Sequence, residues 1–600
     1  MWSPITKVAG YVVLLSPAVL SAVLPSRHLT PEVPWKRSGL GRRHEEARTS
    51  GGCSYGPNSR GCWSDEYDIS TDMDLKWPDT GKLVQYNFEI TNTTLAPDGF
   101  EKFMTVVNGQ YPGPTVVANW GDDLEITVTN KLTVNGTGIH WHGLRQLGSN
   151  DMDGVGGITE CPIAPGETKV YKFKATQYGT SWYHSHYDVQ YGDGLLGGII
   201  INGPATENYD IDLGIMPFTD WFHAPLFTVN AASLHASGPP IADNLLVNGS
   251  MTSSSGGQYA VTTLVPGKKH LLRLVNTGIN NWVHVGIDGH PFTVIAADFV
   301  PIVPYTTTSL VIAVGQRYDV IIAANQTAGN FWLRVGTGGA CDGPNANAAN
   351  IRSIIHYDGA SSGNPNSSGS TLPTGCYDET SIVPFVKTQV PQELPKEMSL
   401  EFEVTRAKNN LVQWAINGQP ILVDFSKPTL QNVVDGNNSY NVAENVYSIG
   451  EVHQWQYWVI QQDNSTPPLG HPIHLHGHDF FVLDSAENTA WTGDISRLKT
   501  DNPIRRDTAT LPGHGYLVLA FESDNPGAWL MHCHIPFHIS AGLGVQFVER
   551  QDEIVGSFSD LSGFKDGCKS WSVFQENVYP DGFEEGNSGL RKRKPFEAWM

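Results

Sequence analysis

Four His-x-His pairs constrain this chain more than any other feature: His140-Trp141-His142, His184-Ser185-His186, His474-Leu475-His476 and His532-Cys533-His534. On an extended segment, side chains two residues apart point the same way. Each pair therefore presents both imidazoles to one face. Four such pairs among 21 histidines exceed chance and point to shared metal sites. The last pair says most. Strand-like residues flank it, Tyr516 to Phe521 before and Val545 to Val548 after, so Cys533 must face away from His532 and His534. A soft thiolate suits copper, and imidazole suits copper, zinc or iron. One strand end can thus serve two metal sites joined by covalent backbone. A structural zinc site, or a buried thiol beside core histidines, would explain that stretch alone but not four pairs.

At 600 residues the chain exceeds one domain and suggests three or four. Aromatics at 10%, charged residues at only 16%, and 62 Gly with 38 Pro spread throughout favour β-sandwiches over helical bundles. A formal charge of −22 argues against nucleic acid or an anionic membrane as partner. Strand-like runs such as Leu83–Ile90, Leu124–Thr129 and Val170–Phe173 fill a first block, 53–205. A second, 206–385, has strand runs but no His pair of this spacing, and 359–375 reads as a surface loop. Pro384 to Pro395 reads as an extended linker into a third block, 386–590, which holds the remaining ligand motifs. Helical periodicity is weak except near the C-terminus. The architecture expected is all-β: three Greek-key β-sandwiches in series.

Residues 1–22 read as a secretory signal, with Lys7, the apolar run Val8 to Leu20 and the small pair Ser21-Ala22. Pro17 and the short run argue against a membrane anchor. Residues 23–52, with Lys36-Arg37 and Arg42-Arg43, read as a propeptide. An extracellular fate agrees with the sequons at Asn92, Asn135, Asn248, Asn325, Asn366, Asn437 and Asn464. Seven cysteines leave one unpaired in an oxidising compartment. Cys533 is the natural free thiol, because a metal would hold it as thiolate. Cys53–Cys62 and Cys341–Cys376 would close local loops, and Cys161–Cys568 would tie the first block to the C-terminal end. Spacing alone does not fix that pairing.

Counting donors, the first block gives His140, His142, His184 and His186, and the third gives His474, His476, His532 and His534. His471, Cys533 and His538 lie in the same motifs. Two imidazoles and a thiolate form the trigonal set of a blue copper site. Eight imidazoles divide naturally among three coppers, placed where the first and third blocks meet, with the second as a spacer.

With these motifs the chain resembles the multicopper oxidases, and within them the ascomycete-type fungal laccases. The resemblance covers nearly all of the mature chain. It is carried by His140-Trp141-His142-Gly143, Trp182-Tyr183-His184-Ser185-His186, the run His471 to His478, the run His532 to His538, and Asn108 to Pro114. It implies three cupredoxin-like domains and four coppers. His471, Cys533 and His538 would be the type 1 ligands, and Leu543 would stand at the non-coordinating axial position. His140 and His474 would hold the type 2 ion. His142, His184 and His534 would hold one type 3 ion, and His186, His476 and His532 the other. His478 would be no ligand. Asp153 matches an acid placed near the cluster, where protons are needed.

The activity implied is one-electron oxidation of phenolic or aromatic donors beside His471. Electrons pass through Cys533 to His532 and His534, and O2 is reduced to water. A leucine in the axial position lacks a donor atom and should raise the type 1 potential. The family commonly places an acid in the substrate pocket; here alignment puts Asn280 at that position, which can bond a phenol but cannot ionise. Asn587-Ser588-Gly589-Leu590, followed by Arg591-Lys592-Arg593-Lys594, resembles a processed C-terminus, so 591–600 is expected to be removed. A ferroxidase, an ascorbate oxidase or a bilirubin-type oxidase is the alternative. A non-catalytic cupredoxin conflicts with the full set of ligand positions, and a copper store with only nine methionines. The enzyme is expected to be an extracellular monomer.

Overall fold

The computed structural model describes residues 53–369, 371–392, 399–406, 411–462 and 466–578. The expected signal, propeptide and C-terminal extension, and the sequon at Asn464, lie outside these residues.

Strand Asp123–Asn130 shows why the chain pleats: Leu124, Ile126 and Val128 are buried while the residues between them reach solvent. It runs parallel to Leu83–Leu95 and antiparallel to Thr168–Lys174. That four-stranded sheet faces a second one, in which Leu196–Asn202 lies parallel to Gly113–Asn119 and antiparallel to Gly179–Ser185. Phe88, Ile126 and Tyr171 from the first sheet share a core with Val116, Trp141 and Ile199 from the second.

The same plan recurs twice. Ile211–Trp221 lies parallel to Lys269–Asn276 in a six-stranded sheet, and Val261–Leu264 parallel to Arg352–Tyr357 in its five-stranded partner. Ser399–Arg406 lies parallel to Trp455–Gln462, and Val446–Ile449 parallel to Gly544–Glu549, in a third six-plus-five pair. Three two-sheet sandwiches of one topology thus follow one another, the all-β class expected.

Helices are few. Leu561–Val578 buries Phe564, Cys568 and Trp571, a stripe at i, i+4, i+7. Asp560 caps it, accepting the Gly563 N–H at 2.8 Å. Trp571 packs where Gly136 has no side chain, and a Cβ there would collide with the indole. The shorter helix Leu226–Ser233 was not foreseen. Its Leu226 N–H donates to Asp193, a partner 33 residues away that a local reading cannot supply.

Disulfides join Cys53 to Cys62, Cys161 to Cys568 and Cys341 to Cys376, leaving Cys533 free and buried. The Cys161–Cys568 bridge closes a very long loop. Replacing both cysteines with alanine should cost about 2–5 kcal/mol and lower the melting temperature by several degrees in calorimetry. An unchanged melting temperature would show that helix packing alone holds the C-terminal end.

Candidate metal centre

Cys533 ends strand Gly527–Cys533, fully buried, with Sγ 3.5 Å from His471 Nδ1 and 3.4 Å from His538 Nδ1. His471 starts the neighbouring strand His471–Leu475, and His538 sits in the one-turn helix Pro536–Ile539. Trp414 covers both imidazoles, its ring centroid 4.9 Å from His471 and 4.4 Å from His538. Leu543 is buried in the same core; its N–H donates to the His538 carbonyl, and its carbonyl accepts the Cys533 N–H. Burial pushes the Cys533 thiol well up, holds His471 down to about 3 and holds His538 well below the usual range. Without a cation all three donors are neutral. A bound metal inverts that preference and favours the thiolate.

On the other side of the same strand end, register does the assembling. His140 lies opposite His184, and His474 lies opposite His532. The two strand pairs bring eight imidazoles together. His142 stacks on His474 with centroids 3.9 Å apart, and His140 lies 3.9 Å from His476. His534 Nε2 sits 3.1 Å from His142 Nδ1, and His476 Nε2 3.2 Å from His532 Nε2. Backbone carbonyls fix several rings through Nδ1: Ser185 for His184, Asp507 for His474 and Cys533 for His532, at 2.8–3.0 Å. Nε2 of His140, His184 and His474 is then buried with no partner in the chain.

Burial first, then mutual repulsion, holds His142, His184, His186, His474, His476 and His534 well below the usual imidazole range. His532 is held down to about 4, chiefly by burial. Neutral imidazoles with unpartnered nitrogens aimed at one another would be costly in a sealed core. The same donors fit soft or borderline cations well. Donor atoms within 4.8 Å of one another occur in the groups His186/His476/His532, His140/His474/His476, His140/His142/His184 and His471/Cys533/His538.

Models of the multicopper oxidases match residues 89–206, 213–360 and 395–553. The chain belongs to the multicopper oxidase family. Laccase-3 of Botryotinia fuckeliana is 50% identical over 457 residues, 73% of this chain and all of that protein. Laccase-1 of Melanocarpus albomyces is 41% identical and covers 98% of each chain. The crystal structure of the laccase from Botrytis aclada superposes with a TM-score of 0.84 at 42% identity, covering 90% of this chain and 100% of that one. This multicopper oxidase is of laccase type: it couples one-electron oxidation of phenolic and aromatic donors to reduction of O2 to water, with four coppers as cofactor.

Other residues around the oxidase's cluster were invisible in the sequence. Asp507 places Oδ1 3.3 Å from His142 Nε2, and Thr508 Oγ1 lies 3.2 Å from His474 Nδ1. Arg317, from the middle sandwich, grips Asp507 with two bonds of 2.6 and 2.7 Å. Gly315 lies against His142 and His534, so close that a Cβ would sit 3.1 Å from each ring. The middle block thus touches the cluster, beyond the spacing role expected of it. Asp153 lies between two cluster histidines, 3.1 Å from His140 Nδ1 and 3.0 Å from His476 Nδ1. His478 turns away to Glu549 at 3.1 Å. Asn280 is buried; its N–H donates to Asp220 at 3.0 Å, and its Nδ2 has no partner.

The depressed imidazoles set the acid behaviour of copper-depleted protein. The unfolded chain takes up protons below about 6.5, whereas the folded histidines resist them. Stability is therefore fully present above about 6.5 and is lost as pH falls towards the His532 value of about 4. Each resisting group should contribute a slope of about 1.4 kcal/mol per pH unit. Calorimetry of the apoprotein from neutral to mildly acidic pH should show a steep fall in melting temperature. A flat profile would mean the rings are not held neutral.

Proposed function

We propose that His471, Cys533 and His538 hold the type 1 copper, and His140 and His474 the type 2 copper. His142, His184 and His534 would hold one type 3 ion, and His186, His476 and His532 the other. The observation carrying this reading is the strand end at Cys533, whose Sγ meets His471 and His538 while His532 and His534 turn into the imidazole cluster. When bound, the coppers supply one-electron acceptance at the thiolate site and four-electron reduction of O2 at the cluster. The chain's own part is to hold the two sites a fixed distance apart. Cys533 and its peptide links to His532 and His534 form the covalent route between them. Asp153 keeps an acidic group in contact with His140 and His476. The domains are read as 53–205, 206–385 and 386–590, and the enzyme as a secreted, glycosylated monomer freed of residues 1–52 and 591–600.

The test is Cys533→Ser. The variant should load the cluster, lose the blue absorption band and lose turnover with external donors. Appreciable phenol oxidation by a fully metallated variant would overturn the route.

For the donor, the pocket is read around Asn280 and the His471 edge. The Gly470 N–H donates to the Cys341 carbonyl at 3.4 Å, which brings the loop 341–343 beside the residue preceding His471. In that loop the Asp342 Oδ2 accepts the Trp282 N–H at 3.1 Å, while Oδ1 has no partner. Gly343 lies directly against the Asn280 amide. An unpartnered acceptor on Asp342 and an unpartnered donor on Asn280, on segments that meet at Gly343, would suit a hydroxyl that donates to one and accepts from the other. Burial pushes Asp342 up to about 7, so its basic form appears as pH rises through that value. The ratio of kcat/KM for a methoxyphenol to that for a non-phenolic one-electron dye should climb through about 7. In Asp342→Asn that ratio should be flat, and Asn280→Asp should raise it. Equal effects of both variants on both donors would exclude this loop from phenol recognition.

A further inference from the structure

A buried carboxylate outside the ligand set lies between the cluster side and solvent. Glu160 is 2% exposed and is surrounded by Lys169 Nζ, which donates to Oε2, and by the Tyr171 hydroxyl at 3.0 Å from Oε1. Lys169 keeps 19% of its side chain in solvent and also donates to the Asp151 carbonyl at 2.9 Å. Inward, Glu160 Oε1 fills the space over Gly138, where a Cβ would crowd it. That same Cβ would sit 3.1 Å from the carbonyl of Gly154, the residue after Asp153. The Tyr171 hydroxyl also accepts the N–H of Ile139, which precedes His140. The charged and titratable groups facing Glu160 are Lys169, Tyr171 and Asp153, and Asp560 at the helix start faces Lys169 from outside.

We propose that Glu160 is the proton relay that feeds Asp153, with the Lys169 side chain marking its solvent mouth. The inference rests on the reading of Asp153 as the acid beside the cluster. Reduction of O2 to two waters consumes four electrons from the donors and four protons. Each proton leaves the Glu160 carboxyl towards Asp153, and the carboxylate takes its replacement from solvent at the Lys169 end. Nothing else changes oxidation state in this step. Burial raises Glu160 above the usual carboxylate range against the opposing pull of Lys169, which keeps its protonated form accessible.

The test uses the copper-loaded enzyme and Glu160→Gln, which preserves shape but cannot carry a proton. Copper content and anaerobic bleaching of the blue band by a phenol should be unchanged. Reoxidation of the fully reduced enzyme by O2 should slow about tenfold or more, with a larger solvent deuterium isotope effect. The protonated-carboxyl stretch should lose intensity in the infrared spectrum of the resting enzyme. Reoxidation and isotope effect within about twofold of wild type in a fully loaded variant would overturn the relay. If Glu160→Gln fails to load copper, Lys169→Met decides. Removing the cation should raise the Glu160 pKa and move the fall of reoxidation with pH upward by about one unit, and an unmoved profile would overturn the proposal. Failure of the laccase reading would appear instead in the bleaching step, which precedes any proton demand.

Discussion

Alternation along one strand end is the constraint on which everything else in this oxidase depends. Cys533 can serve a thiolate site only if it points into the core of the third sandwich, among Leu543, Ile535 and Phe537. That orientation obliges His532 and His534 to point out of it. They then need partners from elsewhere, and pairing supplies them: His474 beside His532 by register within the third sandwich, and His142 against His534 from the first. A thiolate-containing donor group and an imidazole cluster are thereby fixed relative to each other without a loop between them. Rigid strands place such ligands more precisely than loops would.

Much of this was legible in the sequence because its signal is local. A His-x-His pair on a strand states its own geometry, and the motif residues do come together: His471, Cys533 and His538 form one close donor group and His186, His476 and His532 another, whereas His142 and His184 group with His140. The threefold repeat of two-sheet topology follows from strand runs separated by Gly and Pro turns. The unforeseen residues act at long range. Asp507, Arg317 and Thr508 read locally as ordinary strand residues, and only the meeting of the middle and third sandwiches turns them towards His142 and His474. Asp342 is 62 positions from Asn280 in the chain, yet it accepts the Trp282 N–H and the next residue, Gly343, lies against the Asn280 amide. The helix at Leu226 failed to announce itself for the same reason, since its first N–H is satisfied by Asp193 from another block.

Asp507 shows why the middle sandwich is more than a strut. Its carboxylate is fully enclosed and, by burial against the pull of Arg317, sits up near 6. Arg317 in turn is held by both Asp507 and Asp298, and Asp298 also binds Arg506. Such enclosed pairs contribute little net stability, because desolvation offsets their attraction, but removing one partner typically costs about 3–5 kcal/mol. Their use here is better read as charge placement. Cations bound among neutral imidazoles bring positive charge into a sealed core, and a carboxylate 3.3 Å from His142 offsets part of it. Arg317 alone would add to that charge; paired with Asp507 it orients the carboxylate instead. Among the described residues the middle sandwich contributes no side chain to the close donor groups, yet through Arg317 it orients the carboxylate that lies beside His142.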